Sequence, residues 1–137
     1  MDLLKVIKDC FEGDDDVYKY YDPNESISNI HELSISIYRK IKEHFLLFDC
    51  EFVDLGYGYI FYVKTPKLLV SFCVKKKERN KEILKKFWGD INNILGSDFK
   101  CFLWWKNKRA INYLIKNGMK IETVKLLDNH KIIILCH

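Results

Sequence analysis

Proline is scarce in this 137-residue chain, with two residues, and glycine amounts to only six, so a collagen-like repeat and a Pro/Gly-rich linker are both excluded. No wholly apolar run exceeds five residues, as at Ile132 to Cys136, which is far short of a membrane-spanning helix. The start, Met1-Asp2-Leu3-Leu4-Lys5, carries no basic leader followed by an apolar stretch, so export by a signal peptide is not expected. The cysteines, at Cys10, Cys50, Cys73, Cys101 and Cys136, are odd in number, widely spaced and without a CxxC pair. That pattern fits reduced, buried thiols and not a disulfide framework, and it points to the cytoplasm or a particle assembled there. His31, His44, His130 and His137 lack the spacing of metal ligands, and Asp14, Asp15 and Asp16 lack the Gly and terminal Glu of a calcium loop, so no metal is expected. No Ser or Cys stands in a nucleophile elbow, and Cys73 on an apolar stretch reads as a small core residue.

What the chain does have is 48% hydrophobic and 31% charged residues, enough for one domain with its own core and too apolar for disorder. The net charge of +4 hides a division. Residues 1–63 carry six Lys/Arg against thirteen Asp/Glu, and residues 64–137 carry seventeen against six. The halves are therefore acidic and basic, and each can meet a complementary surface on a partner or on another copy of the chain.

Apolar spacing predicts a helix over 3–11, closed by Gly13, and then an acidic arm to residue 28 in which Tyr18, Tyr20 and Tyr21 are candidate anchors. Asp14, Asp15 and Asp16 are the arm's candidate contacts, docking in cis on the chain's own Lys75 to Lys86 face or in trans on a partner. Ser28 or Asn29 with Glu32 at capping-box distance starts a second helix, whose stripe is Leu33, Ile37, Ile41, Phe45 and Phe48. The period then changes to two over 50–55, 58–64 and 67–75, predicting a three-stranded meander. In its third strand Leu68, Val70, Phe72 and Val74 are expected on one face and Leu69, Ser71 and Cys73 on the other. A helix over 80–95, a strand over 99–106, a helix over 107–117 and strands over 119–127 and 131–136 complete an α/β (α+β) domain around one mixed, mostly antiparallel sheet of five to six strands. One domain is expected over 1–137, with 1–28 as an N-terminal elaboration and 29–137 as the core.

The order from Ile30 to Cys136 resembles the GCN5-related N-acetyltransferase, or GNAT, fold, and Asn107-Lys-Arg-Ala110-Ile-Asn-Tyr113-Leu114-Ile-Lys-Asn-Gly118-Met119 resembles that family's N-x-x-A-x-x-x-[Y]-x-x-x-G-F segment. In these residues Asn107 caps a helix, Ala110 allows close packing and Gly118 takes the left-handed exit. The resemblance implies that strands 67–75 and 99–106 splay to leave a cleft for acyl-CoA, and that Phe72, Phe102 or a Trp filling it marks a non-catalytic protein. It also implies a phosphate-holding loop of the form [RQ]-x-x-G-x-[GA], where this chain has Val74-Lys-Lys-Lys-Glu-Arg79-Asn80-Lys81 without glycine. The residues left to hold a diphosphate are Lys75, Lys76, Lys77, Arg79, Asn80 and Lys81, with Asn107 from the motif. The family's Tyr four residues before the motif Gly is Leu114 here, and Tyr113 beside it points about 100° away on a helix. Glu78, or a strand carboxylate such as Asp54 or Glu51, is a candidate base, against the favoured reading of each as an ordinary surface acid. The first family strand is replaced by the 3–11 helix and the arm.

Phe87 to Ile121, with Trp104-Trp105 on its strand, also resembles an internal-virion group of small acyltransferase-like proteins of tailed phages, which implies a particle-associated or host-interaction role in host cytoplasm or virion. The expectation is thus a non-catalytic interaction protein without cofactor, acting on a protein partner or as a homo-oligomer, with an acetyl-CoA-dependent N-acetyltransferase as the alternative. Nucleic acid is not the expected partner, because Trp88 shares a helix's apolar stripe and Trp104 and Trp105 alternate faces.

Overall fold

The computed structural model describes residues 1–15, 17–21 and 26–137, so Asp16 lies outside the described residues. Helix α1 (Leu3–Phe11) starts where the Asp2 side chain accepts from the Lys5 N–H at 3.1 Å, and it buries Ile7, Cys10 and Phe11. A single 3₁₀ turn at Val17–Tyr20 interrupts the arm, which was expected to be loop throughout. Helix α2 (Ile30–Leu47) has the reciprocal cap its sequence promises. Asn29 accepts from the Glu32 N–H at 2.9 Å, and the Glu32 carboxylate accepts from the Ser28 N–H at 2.8 Å. Its stripe is buried only as far as Ile41; Phe45 meets Phe61 of the sheet at 5.4 Å but stays 42% exposed, and Phe48 is 51% exposed.

Six strands follow: β1 (Cys50–Asp54), β2 (Gly58–Lys64), β3 (Lys67–Val74), β4 (Lys100–Trp104), β5 (Lys120–Leu127) and β6 (His130–Cys136). They form one sheet in the order β1-β2-β3-β4-β6-β5, antiparallel throughout except for the parallel pair β3–β4. Between them lie α3 (Lys81–Leu95) and α4 (Lys108–Lys116), which complete the α/β architecture read from the sequence. Strand β4 is shorter than expected, since Trp105 and Lys106 already turn into α4. The β5–β6 turn is only Asp128-Asn129, both with left-handed φ (51° and 67°), as a two-residue hairpin turn demands, so His130 belongs to the strand.

The sheet has a core on each face. Helices α1 and α2 cover β1 to β3 through Phe11, Leu33, Ile41, Tyr59 and Phe61; α3 and α4 cover the opposite face through Phe87, Ile91, Leu114, Cys101 and Leu135. The expected division of β3 is corrected here. Phe61 pairs with Ser71 but Tyr62 pairs with Leu69, which leaves Val70 as a bulge. The extra residue moves Leu69 to the face of Phe72 and Val74 and moves Val70 to the face of Cys73. All five cysteines are free, and burial pushes the Cys101 thiol up to about 12.

Two glycines separate packing from chain entropy. A Cβ on Gly58 would stand 2.2 Å from the Cys73 carbonyl oxygen, whereas one on Gly89, inside α3, would meet nothing within 4 Å. We expect Gly58→Ala to destabilise by about 2 kcal/mol through forced displacement of β3, and Gly89→Ala to stabilise by about 0.5–1 kcal/mol. Urea denaturation of the two variants checks both signs.

Candidate functional site

The β3 bulge also sets where β3 and β4 part. Their parallel pairing consists of Leu68 with Lys100 and Leu69 with Cys101, and it stops at the residue before the bulge. Beyond that point lies a cavity of about 290 Å³, walled by Phe72, Cys73 and Val74 of β3, Leu84 and Phe87 of α3 and Ala110 and Tyr113 of α4. Phe11 of α1, with Val17 and Tyr21 of the arm, closes its other side. The rings run in series, with Phe72 6.2 Å from Phe87 and Phe87 6.1 Å from Tyr113. The Tyr113 hydroxyl donates to the Leu84 carbonyl, and burial pushes its pKa up, so its proton is held at neutral pH. Of the residues considered as possible fillers, Phe72 lies at this cavity. Phe102 is on the other face of β4, paired with Ile134 and 47% exposed, and Trp105 is exposed beneath the Lys106 and Lys108 ammonium groups.

At the cavity's polar edge Asp14 joins two elements that are remote in sequence. Its Oδ2 accepts from Arg79 Nη2 at 2.8 Å and from Arg109 Nη2 at 3.0 Å, and its side chain is 9% exposed. Arg79 is held further by its Nε donating to the Val74 carbonyl at 3.0 Å, while Lys76 Nζ donates to the Gly13 carbonyl at 2.9 Å. Burial alone would raise the Asp14 carboxyl; the hydrogen bond and charge of Arg79, with the charge of Arg109, outweigh it and hold the group below the ordinary carboxylate range. The arm therefore docks in cis at residues 13 and 14.

The remaining candidates scatter. Lys75 gives its N–H to the Tyr57 carbonyl, Lys77 and Lys81 are exposed, and Asn80 spends its side chain capping α3 through the Ile83 N–H at 2.9 Å. Asn107 occupies the N-cap position of α4 but makes no side-chain capping bond, contrary to expectation; its backbone torsions (φ −78°, ψ 58°) are not those of a capping residue, and the side chain borders the cavity. Gly118 takes a left-handed φ of 107° as its motif requires, and Leu114, in the Tyr slot, is fully buried. In the arm, Asp15 and Tyr20 are exposed, Tyr18 is half-buried, and the Tyr21 ring meets Phe11 edge-on at 5.6 Å. The sequence reading missed Arg109. Its role depends on a partner 95 positions away, and its one local signal is its place in the first turn of α4.

The described residues thus form an open, mostly antiparallel sheet flanked by four helices, with one splayed parallel pair. Among solved structures the chain is similar to a GNAT-family acetyltransferase from Bacillus cereus (TM-score 0.52, 14% identity, covering 78% of this chain and 79% of that one). It is likewise similar to a Bacillus subtilis acetyltransferase in complex with CoA (TM-score 0.52, 11% identity, 88% and 89% covered) and to the microcin C7 self-immunity acetyltransferase in complex with acetyl-CoA and AMP (TM-score 0.53, 13% identity, 98% and 82% covered). No family model and no curated protein matches the sequence. The chain thus has the GNAT fold. Among the described residues, no helix is long and apolar enough to cross a membrane, and no group of three His, Cys, Asp or Glu residues is placed to hold a metal ion.

The Asp14 contacts have a pH signature. A carboxyl whose folded pKa lies below its unfolded value stabilises the fold above that unfolded value and loses the contribution as pH falls through the folded one. Asp14→Asn should cost about 2 kcal/mol at neutral pH, and the gap to wild type should close below about pH 4. Thermal denaturation of both proteins across that range checks it.

Proposed function

We propose that this chain is a GNAT-fold interaction protein, working through protein contacts and not through acyl transfer. The observation that carries the reading is that Arg79 and Arg109, the strongest anion-holding groups at the cleft, are already bound to the chain's own Asp14. The residues present do not fit the diphosphate of an acyl-CoA. The stretch after β3 has no glycine to let a backbone approach, and four of its N–H groups are engaged internally: Lys75 on Tyr57, Glu78 on Lys75, Arg79 on Lys76 and Ile83 on the Asn80 side chain. The cleft behind it, at about 290 Å³, is at the lower end of ligand pockets, which run to about 1,000 Å³. The Tyr113 hydroxyl at the cleft is engaged by the Leu84 carbonyl.

A role as a virion-associated or auxiliary component of a phage or phage-like particle rests on the Phe87 to Ile121 resemblance, and a second copy of the chain or another protein is the partner class it implies. Calorimetry with acetyl-CoA tests the main reading. We expect no stoichiometric heat from wild type, and no acetyl transfer to a panel of amines. A micromolar site that disappears in Lys76→Ala would instead establish the alternative, an N-acetyltransferase whose phosphate contacts are the lysines of 75–81.

A further inference from the structure

The C-terminal turn of α2 ends in four consecutive large apolar residues that the chain itself leaves in solvent: Phe45 (42% exposed), Leu46 (86%), Leu47 (73%) and Phe48 (51%). Beside them lies the most voluminous of the cavities described, a groove of about 770 Å³ between the end of α2 and the adjoining starts of β3 and β4. Phe48, Val63, Pro66, Leu68, Phe99 and Phe102 supply its apolar lining, and Phe102 is itself 47% exposed. Lone exposed apolar side chains are ordinary, whereas a contiguous knob beside an apolar groove is the surface of an interaction site. None of these residues belongs to the cleft that holds Asp14.

The charges select the occupant. Lys67, Asp98 and Lys100 line the groove; Lys100 is paired with Glu122 at 2.9 Å, whereas Lys67, in the basic half of the chain, makes no ion pair among the described residues. The knob lies in the acidic half, between Glu43 and Asp49; Asp49 is 77% exposed, and its ion pair with Lys64 is long, at 3.9 Å. A two-fold interface needs one patch that is complementary to itself. An apolar knob flanked by acids, adjoining an apolar groove that carries lysines, meets that requirement. We propose that this face is the interface of a symmetric dimer of the chain, in which Leu46 and Leu47 of each copy enter the groove of the other while Glu43 and Asp49 approach Lys67. The proposal deepens the interaction reading above and rests on it. It concerns the α2 end alone, so the acetyl-CoA titration and the dimer assay can fail independently.

Sedimentation velocity over two decades of concentration tests it. Wild type should dimerise, and Leu46→Asp/Leu47→Asp should be a monomer with unchanged circular dichroism, because neither side chain is packed in the core of the single chain. Lys67→Glu alone, and Glu43→Lys/Asp49→Lys alone, should each weaken the dimer about ten-fold. An equimolar mixture of those two variants should associate as tightly as wild type, since each knob then faces a groove of opposite charge. Added salt should weaken the wild-type dimer as the exposed pairs are screened. A wild-type chain that stays monomeric throughout, a dimer indifferent to the Leu46/Leu47 change, or a mixture no tighter than its components would overturn the proposal.

Discussion

The single extra residue at Val70 is the constraint on which the rest of the molecule depends. A regular β3 would keep its alternation and could continue beside β4; the bulge bends it, so parallel pairing ends at Leu69 and the two strands diverge. It also reverses which side chains face which helices. Phe72 and Val74 turn toward α3 and α4, where with Phe87 and Tyr113 they line the splay, while Cys73 faces α1. Removing the bulge would place Phe72 against α1 and Cys73 among the rings. The cleft and both cores therefore have one geometric origin.

Around that cleft the arm behaves as part of the fold. A carboxylate with a side chain only 9% exposed is costly unless it is fully paired, and the two guanidinium groups supply the pairing from the start of α3 and the start of α4. Neither arginine has another carboxylate ion pair among the described residues, so Asp14 is what makes their joint presence beside an apolar cavity tolerable. The same contact ties the segment after α1 to the opposite side of the cleft. A helix that only packed on the sheet would leave that edge open; the ion triad closes it.

The elements were legible in the sequence because they rest on local signals. The Asn29–Glu32 box, the Gly96 and Gly118 exits and the change of period at residue 50 each act within four or five residues, and each is realised in the structure. The wider resemblance, carried by the element order and the 107–119 segment, implied the splay of strands 67–75 and 99–106, whose pairing ends after two residues. What escaped was set by geometry between distant residues. The bulge is invisible because Lys67 to Val74 reads as an unbroken alternation of suitable strand formers, and one slipped pair against β2 inverts it. Arg109 escaped because its partner lies 95 residues upstream, and Asn107 failed as a cap because its torsions follow from the tight turn out of β4. The cations were read as one basic run, yet the chain sorts them individually: Lys76 to a carbonyl, Arg79 to Asp14, Lys77 to solvent.

That sorting bears on the division of charge along the chain. At one end of β3 the acidic and basic halves meet within the molecule, through Asp14 with Arg79 and Arg109, and there the contact is short and shielded from solvent. At the other end of β3 they meet only in long, exposed contacts, Lys64 with Asp49 at 3.9 Å and with Glu51 at 3.7 Å. Lys67 lacks an ion pair among the described residues, Asp49 reaches only the 3.9 Å contact with Lys64, and the apolar residues between them stay exposed. A chain that used its charge only for solubility would have no reason to set an unpaired Lys67 against an apolar groove, where an ammonium group desolvates poorly. The asymmetry between the two ends of one strand thus separates two uses of the same charge split: intramolecular closure of the cleft, and a surface left for another molecule to complete.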